Sequence, residues 1–502
     1  MLKALYDYGL RRQLTLPPGF IEKTVKAYIS LSEDNDHVSI YLGDDEHLLC
    51  PDMGSLAQGR DKCNVLVEKR SIVIPDTPAD GAKPAAKSAF FLETLRDASE
   101  EEPLLKACVR ALETPEITEA IRAELDRMGD RISFRVNGNS MVESEQIRRW
   151  WREYRKRFAK RDASPTELCL ITGEPTVPMM TTTSIQGLHA VGGHPKGDAL
   201  ICFDKSAFCS YNQKQAVNAP VSEEAFGVVK SALDDLLKDA PILAGMKFVH
   251  WFDREIAQEE DPFCTLDFGF DRPEQAPETV PVNPATKRNM ADQVPESVYS
   301  GQAAPDLDGT SYYILLLSGV NSRVMIRRFE RGSYADLRQN LRQWYANLAL
   351  TNQSGTGNIK PVKLTARLLR LLKFQKGDPR PLDRLSKELA GLTPAVIQAV
   401  LSNGTLPDAV AAKALAYIRS ELLSSDDSDK QSAQSPLPNS LACQWLKVWL
   451  LRKNRMNHQE VPILEEYNFN LPSTAYHCGG LMAVYAAIQK AAMPDGSELS
   501  LA

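Results

Sequence analysis

Two periods run through the apolar positions of this chain, and each marks a kind of element. Met1 to Arg11 carries a helical pattern, and Val38 to Leu42 and Ser71 to Ile74 are short strand-like runs between turns. Ala89 to Met128 is helical, with breaks near Pro103 and Pro115. Ile132-Ser-Phe-Arg-Val136 alternates as a strand and meets the turn signal Asn137-Gly138-Asn139. Cys169 to Ser222 has a strand-and-loop character. Tyr312 to Leu317 and Val324 to Ile326 read as a hairpin joined at Gly319-Val320-Asn321-Ser322. Period two places Val324 and Ile326 on one face and Arg323, Met325 and Arg327 on the other. A helix follows with Tyr334, Leu337, Leu341, Trp344 and Leu348 as its buried stripe, and helices dominate from there on. The pattern predicts an α+β protein: a mixed α/β N-terminal and central region with short sheets, then a mainly helical C-terminal region.

Proline marks the divisions. Pro273, Pro277, Pro281, Pro284, Pro295 and Pro305 interrupt a polar stretch, so 271–310 reads as a loop or linker after an α/β region over 1–270. Ser424 to Asn439 is a second break, leaving a hairpin-plus-helix region at 311–423 and C-terminal helices at 440–502. No repeat recurs at a fixed period. A length of 502 residues suits two to four domains, and 43% hydrophobic with 25% charged residues excludes a disordered or fibrous chain. No stretch approaches the roughly 18 apolar residues that span a bilayer, and the N-terminus lacks a signal-peptide pattern. Nine cysteines without paired CxxC spacing point to reduced thiols in a cytoplasm, and no zinc ribbon is expected. The net charge of −6 comes from 59 basic and 65 acidic residues, so what bears on a polyanionic partner is where the bases cluster.

They cluster first at Gln146 to Asp162. Ile147, Trp151, Tyr154 and Phe158 form one apolar stripe, and Arg148, Arg149, Arg152, Arg155, Lys156 and Lys160 gather on the opposite arc. Only Glu145, Glu153 and Asp162 lie nearby to neutralise them, so the ridge is a candidate for phosphate contacts rather than a solvated face of paired charges. Three loops carry side chains suited to base edges. They are Gly59 to Asn64 with Arg60, Lys62 and Asn64; the segment holding Tyr211, Asn212, Gln213, Lys214 and Asn218; and the hairpin turn with Asn321 and Arg323. Ordinary turn chemistry is the competing reading of the amides. Arg327, Arg328 and Arg331, then Lys360, Lys363, Arg367, Arg370 and Lys373, suggest an extended positive track.

Catalytic signatures are missing: there is no GxxxxGK[ST], HExxH, GxSxG or dinucleotide fingerprint. His189 and His194, with Asp198 and Cys202 nearby, match no standard metal spacing, and Asp261, Asp267 and Asp271 match no nuclease motif. The expectation is therefore no catalytic residue, no metal and no cofactor. A metal-dependent nuclease built on those acids or histidines is the alternative, and it predicts DNA cleavage by the protein alone with magnesium or manganese.

Several runs carry a resemblance. Cys169-Leu-Ile-Thr-Gly-Glu174, Ile185-Gln-Gly187, Leu200-Ile-Cys-Phe203, Ser210-Tyr211 and Asn218-Ala-Pro-Val-Ser-Glu223 resemble the central signature of the large subunit of type I-C CRISPR Cascade complexes. The hairpin Tyr313 to Phe329, the opening Met1 to Tyr6 and the late Ser473-Thr-Ala-Tyr-His477 are similar to the same family. Asn212 stands where the family usually has glycine. The resemblance implies a non-catalytic, cytoplasmic, membrane-free subunit of an RNA-guided complex. Its partners would be crRNA-bearing Cascade subunits (backbone, handle-binding and small subunits), double-stranded target DNA and a helicase-nuclease. It would recognise the protospacer-adjacent motif and support the R-loop. The resemblance also implies that the last helix begins a small-subunit-like bundle, either truncated or naturally short at Ala502, with Met482 as a candidate internal translation start.

Overall fold

A computed structural model describes residues 1–43, 47–57, 61–75, 82–125, 131–158, 167–211, 213–266, 307–352, 357–359, 362–423, 438–456, 463–464 and 467–492. Two compact units emerge. The first joins Met1–Ile185 with Ala199–Asp235, and the second joins Gln186–Asp198 with Leu236–Ala502. The segments expected as linkers lie mostly outside the described residues.

The first unit contains α1 (Leu2–Arg11), β1 (Phe20–Thr24), β2 (Ala27–Leu31), β3 (Val38–Leu42), β4 (His47–Pro51), β5 (Glu68–Lys69), α2 (Arg70–Val73), α3 (Ala82–Glu101), α4 (Leu105–Glu113) and α5 (Pro115–Leu125). They are followed by β6 (Arg131–Val136), β7 (Asn139–Ser140), α6 (Glu145–Lys156), β8 (Glu167–Leu168), β9 (Pro175–Thr176) and α7 (Glu223–Lys238), whose last turn crosses the boundary. The main sheet runs β3-β2-β6-β5, with β7 paired to β6 and β2 parallel to β6. Ile29 and Phe134, opposed in that parallel pair, are fully buried, and the ring of Phe91 on α3 stacks 6.4 Å from Phe134. The helical stretch breaks where Pro103 and Pro115 predict. One reading is corrected. Ser71 to Ile74 is not a strand, because Arg70–Val73 closes a helical turn that buries the adjacent Ile72 and Val73. A four-residue apolar run carries no period to decide between the two.

The second unit holds β10 (Ile242–Leu243), β11 (Met246–Phe252), β12 (Ser311–Val320) and β13 (Arg323–Ser333) as an antiparallel sheet in that order. The expected hairpin forms, with Asn321 and Ser322 both at positive φ in a turn that matches the strand twist. Its strands are longer than the pattern suggested, and a bulge sits at Leu316/Leu317. The helices are α8 (Tyr334–Leu348), α9 (Leu364–Leu368), α10 (Pro381–Glu388), α11 (Thr393–Ser402), α12 (Asp408–Leu422), α13 (Ser440–Met456) and α14 (Thr474–Ala492). The stripe of α8 is buried as read, and Trp344 meets Trp445 at 5.7 Å. Arg367 and Arg452 turn inward. Arg367 bonds to Gln444, and Arg452 donates to the carbonyls of Ala399 and Gly404 at the C-terminal end of α11. Burial, with the Arg455 charge adding to it, pushes Arg452 down to about 10. The positive track expected through Arg367 is therefore interrupted, because that guanidinium faces the core.

On α14, Leu481, Met482, Val484, Tyr485 and Ile488 are exposed. No helix among the described residues is long and apolar enough to cross a membrane.

Candidate nucleic-acid interface

α6 begins at Ser144, whose Oγ accepts from the Ile147 amide, and it is anchored by aromatic rings. Trp151 Nε1 donates to the Gly19 carbonyl at 2.7 Å, and Tyr154 Oη lies 3.2 Å from Thr94 Oγ1. Trp150 stacks on Tyr154 at 4.6 Å, and Phe158 meets both Tyr154 and Phe90 edge-on. Ile147, Trp151 and Tyr154 of the stripe read from the sequence are buried and Phe158 is half-buried, and Trp150 joins them from the flank.

The basic arc divides. Arg155 belongs to the interior: its guanidinium donates to both oxygens of Glu223, at 2.6 and 3.2 Å, and to the Met53 carbonyl. At about 100° per residue it lies only about 40° from Trp151, so its long side chain reaches the core side of the helix. Gly19, at φ +84°, leaves room for it, since a Cβ there would stand 2.5 Å from Arg155 Cδ. Arg148 pairs with Glu145 at 3.0 Å and Lys156 with Glu153 at 2.6 Å. Arg149 and Arg152 are exposed, and among the described residues no carboxylate pairs with either; Arg152 rests over the Phe20 ring at 5.7 Å. Lys160 lies outside the described residues.

The loop before α2 meets the same helix: Lys62 Nζ sits 4.7 Å from the Phe158 ring. Asn64 is structural, accepting from the Met53 amide at 2.8 Å, and Arg60 is outside the described residues. In the third loop, Asn218 Oδ1 accepts from the Ser210 amide, while its Nδ2 donates to the carbonyls of Gln213 and Gln215. Asn218 therefore builds the loop. What the loop presents is Tyr211, 97% exposed at φ +52°, together with half-buried Gln213 and exposed Lys214. Asn212 is outside the described residues. The second unit carries the hairpin set separately, with Asn321, Arg323 and Arg327 exposed, Arg327 Nε donating to Ser318 Oγ at 2.9 Å, and Arg328 paired with Glu330.

Of the residues weighed as metal ligands, Asp198, His194 and Asp261 have other partners. Asp198, fully buried, accepts the His194 amide, and His194 Nδ1 accepts the Lys196 amide. Asp261 meets His250 Nε2 at 2.7 Å, while Asp267 and Asp271 lie outside the described residues. Among the described residues no group of three or more His, Cys, Asp or Glu is placed to hold a metal. Cys169 has its own environment. Burial pushes its thiol up, but hydrogen bonds from Ser222, Thr172 and Ile171 outweigh that and bring it down to about 7.

Sequence reading missed the exposure of Tyr211 and the rings on β11 and β13. The alternation in Met246-Lys-Phe-Val-His-Trp-Phe252 was the available signal for the strand.

Arg149 and Arg152, exposed on an aromatic-anchored helix with no carboxylate paired to either among the described residues, form a surface chemically suited to phosphate oxygens. The family model of the CRISPR-associated protein (Cas_Csd1) matches residues 2–501, and the chain belongs to that family. No curated protein matches it.

Proposed function

We propose that the chain is the large subunit of a type I-C RNA-guided interference complex, non-catalytic itself. It recognises a short motif beside the target in duplex DNA, supports opening of the duplex, and offers a landing surface to the helicase-nuclease. Guide pairing reads the target, and the protein reads a motif and backbone shape. The observation that carries the reading is the exposed pair Arg149 and Arg152 on α6, with no carboxylate paired to either among the described residues, in a member of a CRISPR-associated family. In this reading Tyr211 and Lys214, exposed on the loop pinned by Asn218, meet base edges. The partners are the crRNA-bearing backbone, handle-binding and small subunits. The nuclease alternative finds no support in the family match.

The test is binding of the assembled complex to a duplex library randomised beside a fixed target. With this chain present, one short motif is enriched. Equal enrichment without the chain refutes the reading.

A further inference from the structure

The sheet of the second unit carries three aromatic rings in a row. Trp251 on β11 is opposite Tyr313 on β12, and Phe329 on β13 is two residues from Arg331, the partner of Tyr313. All three lie on the face away from Phe248, Ile314 and Leu316, which belong to the core. Trp251 and Tyr313 stack with centroids 5.2 Å apart and planes 13° from parallel, and Tyr313 and Phe329 follow at 6.4 Å and 20°. The row runs from buried Trp251 to half-buried Phe329. Among the described residues β13 is the last strand of this sheet, and none of them supplies a fourth ring from a neighbouring strand. Arg331, exposed, lies on the same face, with its guanidinium 5.6 Å from the Tyr313 centroid.

Cross-strand rings stabilise a sheet wherever they occur. Two further observations point outward. The terminal ring sits at the open edge, and the exposed charge along β13 is basic: Arg323, Arg327 and Arg331, with Glu330 already held by Arg328. A peptide strand adding to this edge would find backbone groups but would meet three positive charges. An unpaired nucleotide finds a ring face that continues the stack and the Arg331 guanidinium on the same face for phosphate. We propose that the β13 edge binds an unpaired nucleic-acid strand, stacking a base on Phe329 and holding a phosphate with Arg331, which shares its face. This rests on the nucleic-acid reading of the chain, but it places single strands on a surface other than α6.

The experiment measures affinity of the full-length chain for labelled dT12 and rU12, whichever is bound showing whether the strand is DNA or RNA. Phe329→Leu keeps the apolar volume and removes the ring; it should weaken that oligomer about five- to 150-fold, the range of one aromatic stack, and Phe329→Trp should restore binding. A 4-thiothymidine dT12 or 4-thiouridine rU12, whichever is bound, should crosslink to the peptide carrying Phe329 in the unmutated protein, a readout that does not depend on a variant folding. Unchanged affinity in folded Phe329→Leu, crosslinks confined to other segments, or no binding of either oligomer overturns the proposal. A 20-bp duplex is measured alongside with Arg149→Ala/Arg152→Ala. If duplex binding is insensitive to those changes while the Phe329 effect persists, the α6 reading fails and this one stands.

Discussion

Arg155→Ala tests whether the bases of α6 have two separate jobs. The Arg155 side chain is 8% exposed, and its two bonds to Glu223 are charge-assisted, at 2.6 and 3.2 Å. Breaking a fully buried pair costs about 3–5 kcal/mol, because the survivor stays buried and charged. Here Glu223 is 38% exposed and regains water once its partner leaves, which removes part of that penalty. The Met53 carbonyl loses a long bond, and the cavity left beside Gly19 adds a smaller cost. The expected loss is about 2–4 kcal/mol. Arg149→Ala and Arg152→Ala, at exposed positions, should each stay within about 0.5 kcal/mol of the parent. The assay is urea unfolding followed by tryptophan fluorescence, with duplex affinity measured on the same samples under native conditions. If Arg155→Ala keeps the parental midpoint and weakens duplex binding as much as Arg149→Ala does, its guanidinium reaches phosphate and the buried placement is wrong.

Further outcomes follow from local geometry. A Cβ on Gly319 would collide with the backbone of Gly193, which cannot swing aside, so Gly319→Ala should cost about 3 kcal/mol and lower the Tm. Gly227→Ala on α7, where a Cβ meets open space, should instead raise stability by about 0.5–1 kcal/mol. The Cys169 thiol is lowered in the fold from its ordinary 9.0 to about 7, so it contributes stability that is complete above pH 9 and lost as pH falls through 7. Unfolding from pH 6.5 to 9.5 should show the parent gaining up to about 2–3 kcal/mol over Cys169→Ser, and a flat difference overturns that account. Tyr211→Ala should relax preference at one motif position with the Tm unchanged, whereas Asn218→Ala should weaken all motifs together as the loop loses its three bonds. Equal effects of the two on motif preference would remove Tyr211 from base reading.

The elements with a sustained period were legible in the sequence. α6, α8 and the β12–β13 hairpin sit where alternation or the 3.6 repeat puts them, and the Pro103 and Pro115 breaks end helices as read. What the sequence hid depends on distant partners. Glu223 lies 68 positions from Arg155, and Gln444 lies 77 from Arg367, so neither buried guanidinium could be told from a surface base. Likewise the amides of Asn64 and Asn218 suit base edges by type, yet the loops they belong to use them as internal struts. The row of Trp251, Tyr313 and Phe329 needed the strand register, which no local pattern specifies.

The central claim is that Arg149 and Arg152 neutralise phosphates of a duplex. Its most direct measurement is the salt dependence of duplex affinity for complexes carrying the parental chain or Arg149→Ala/Arg152→Ala. Each phosphate contact contributes about −0.9 to the slope of log K against log salt, so losing two should flatten it by about 2, with the preferred motif unchanged. Parental slope and affinity in a folded double variant would contradict the account.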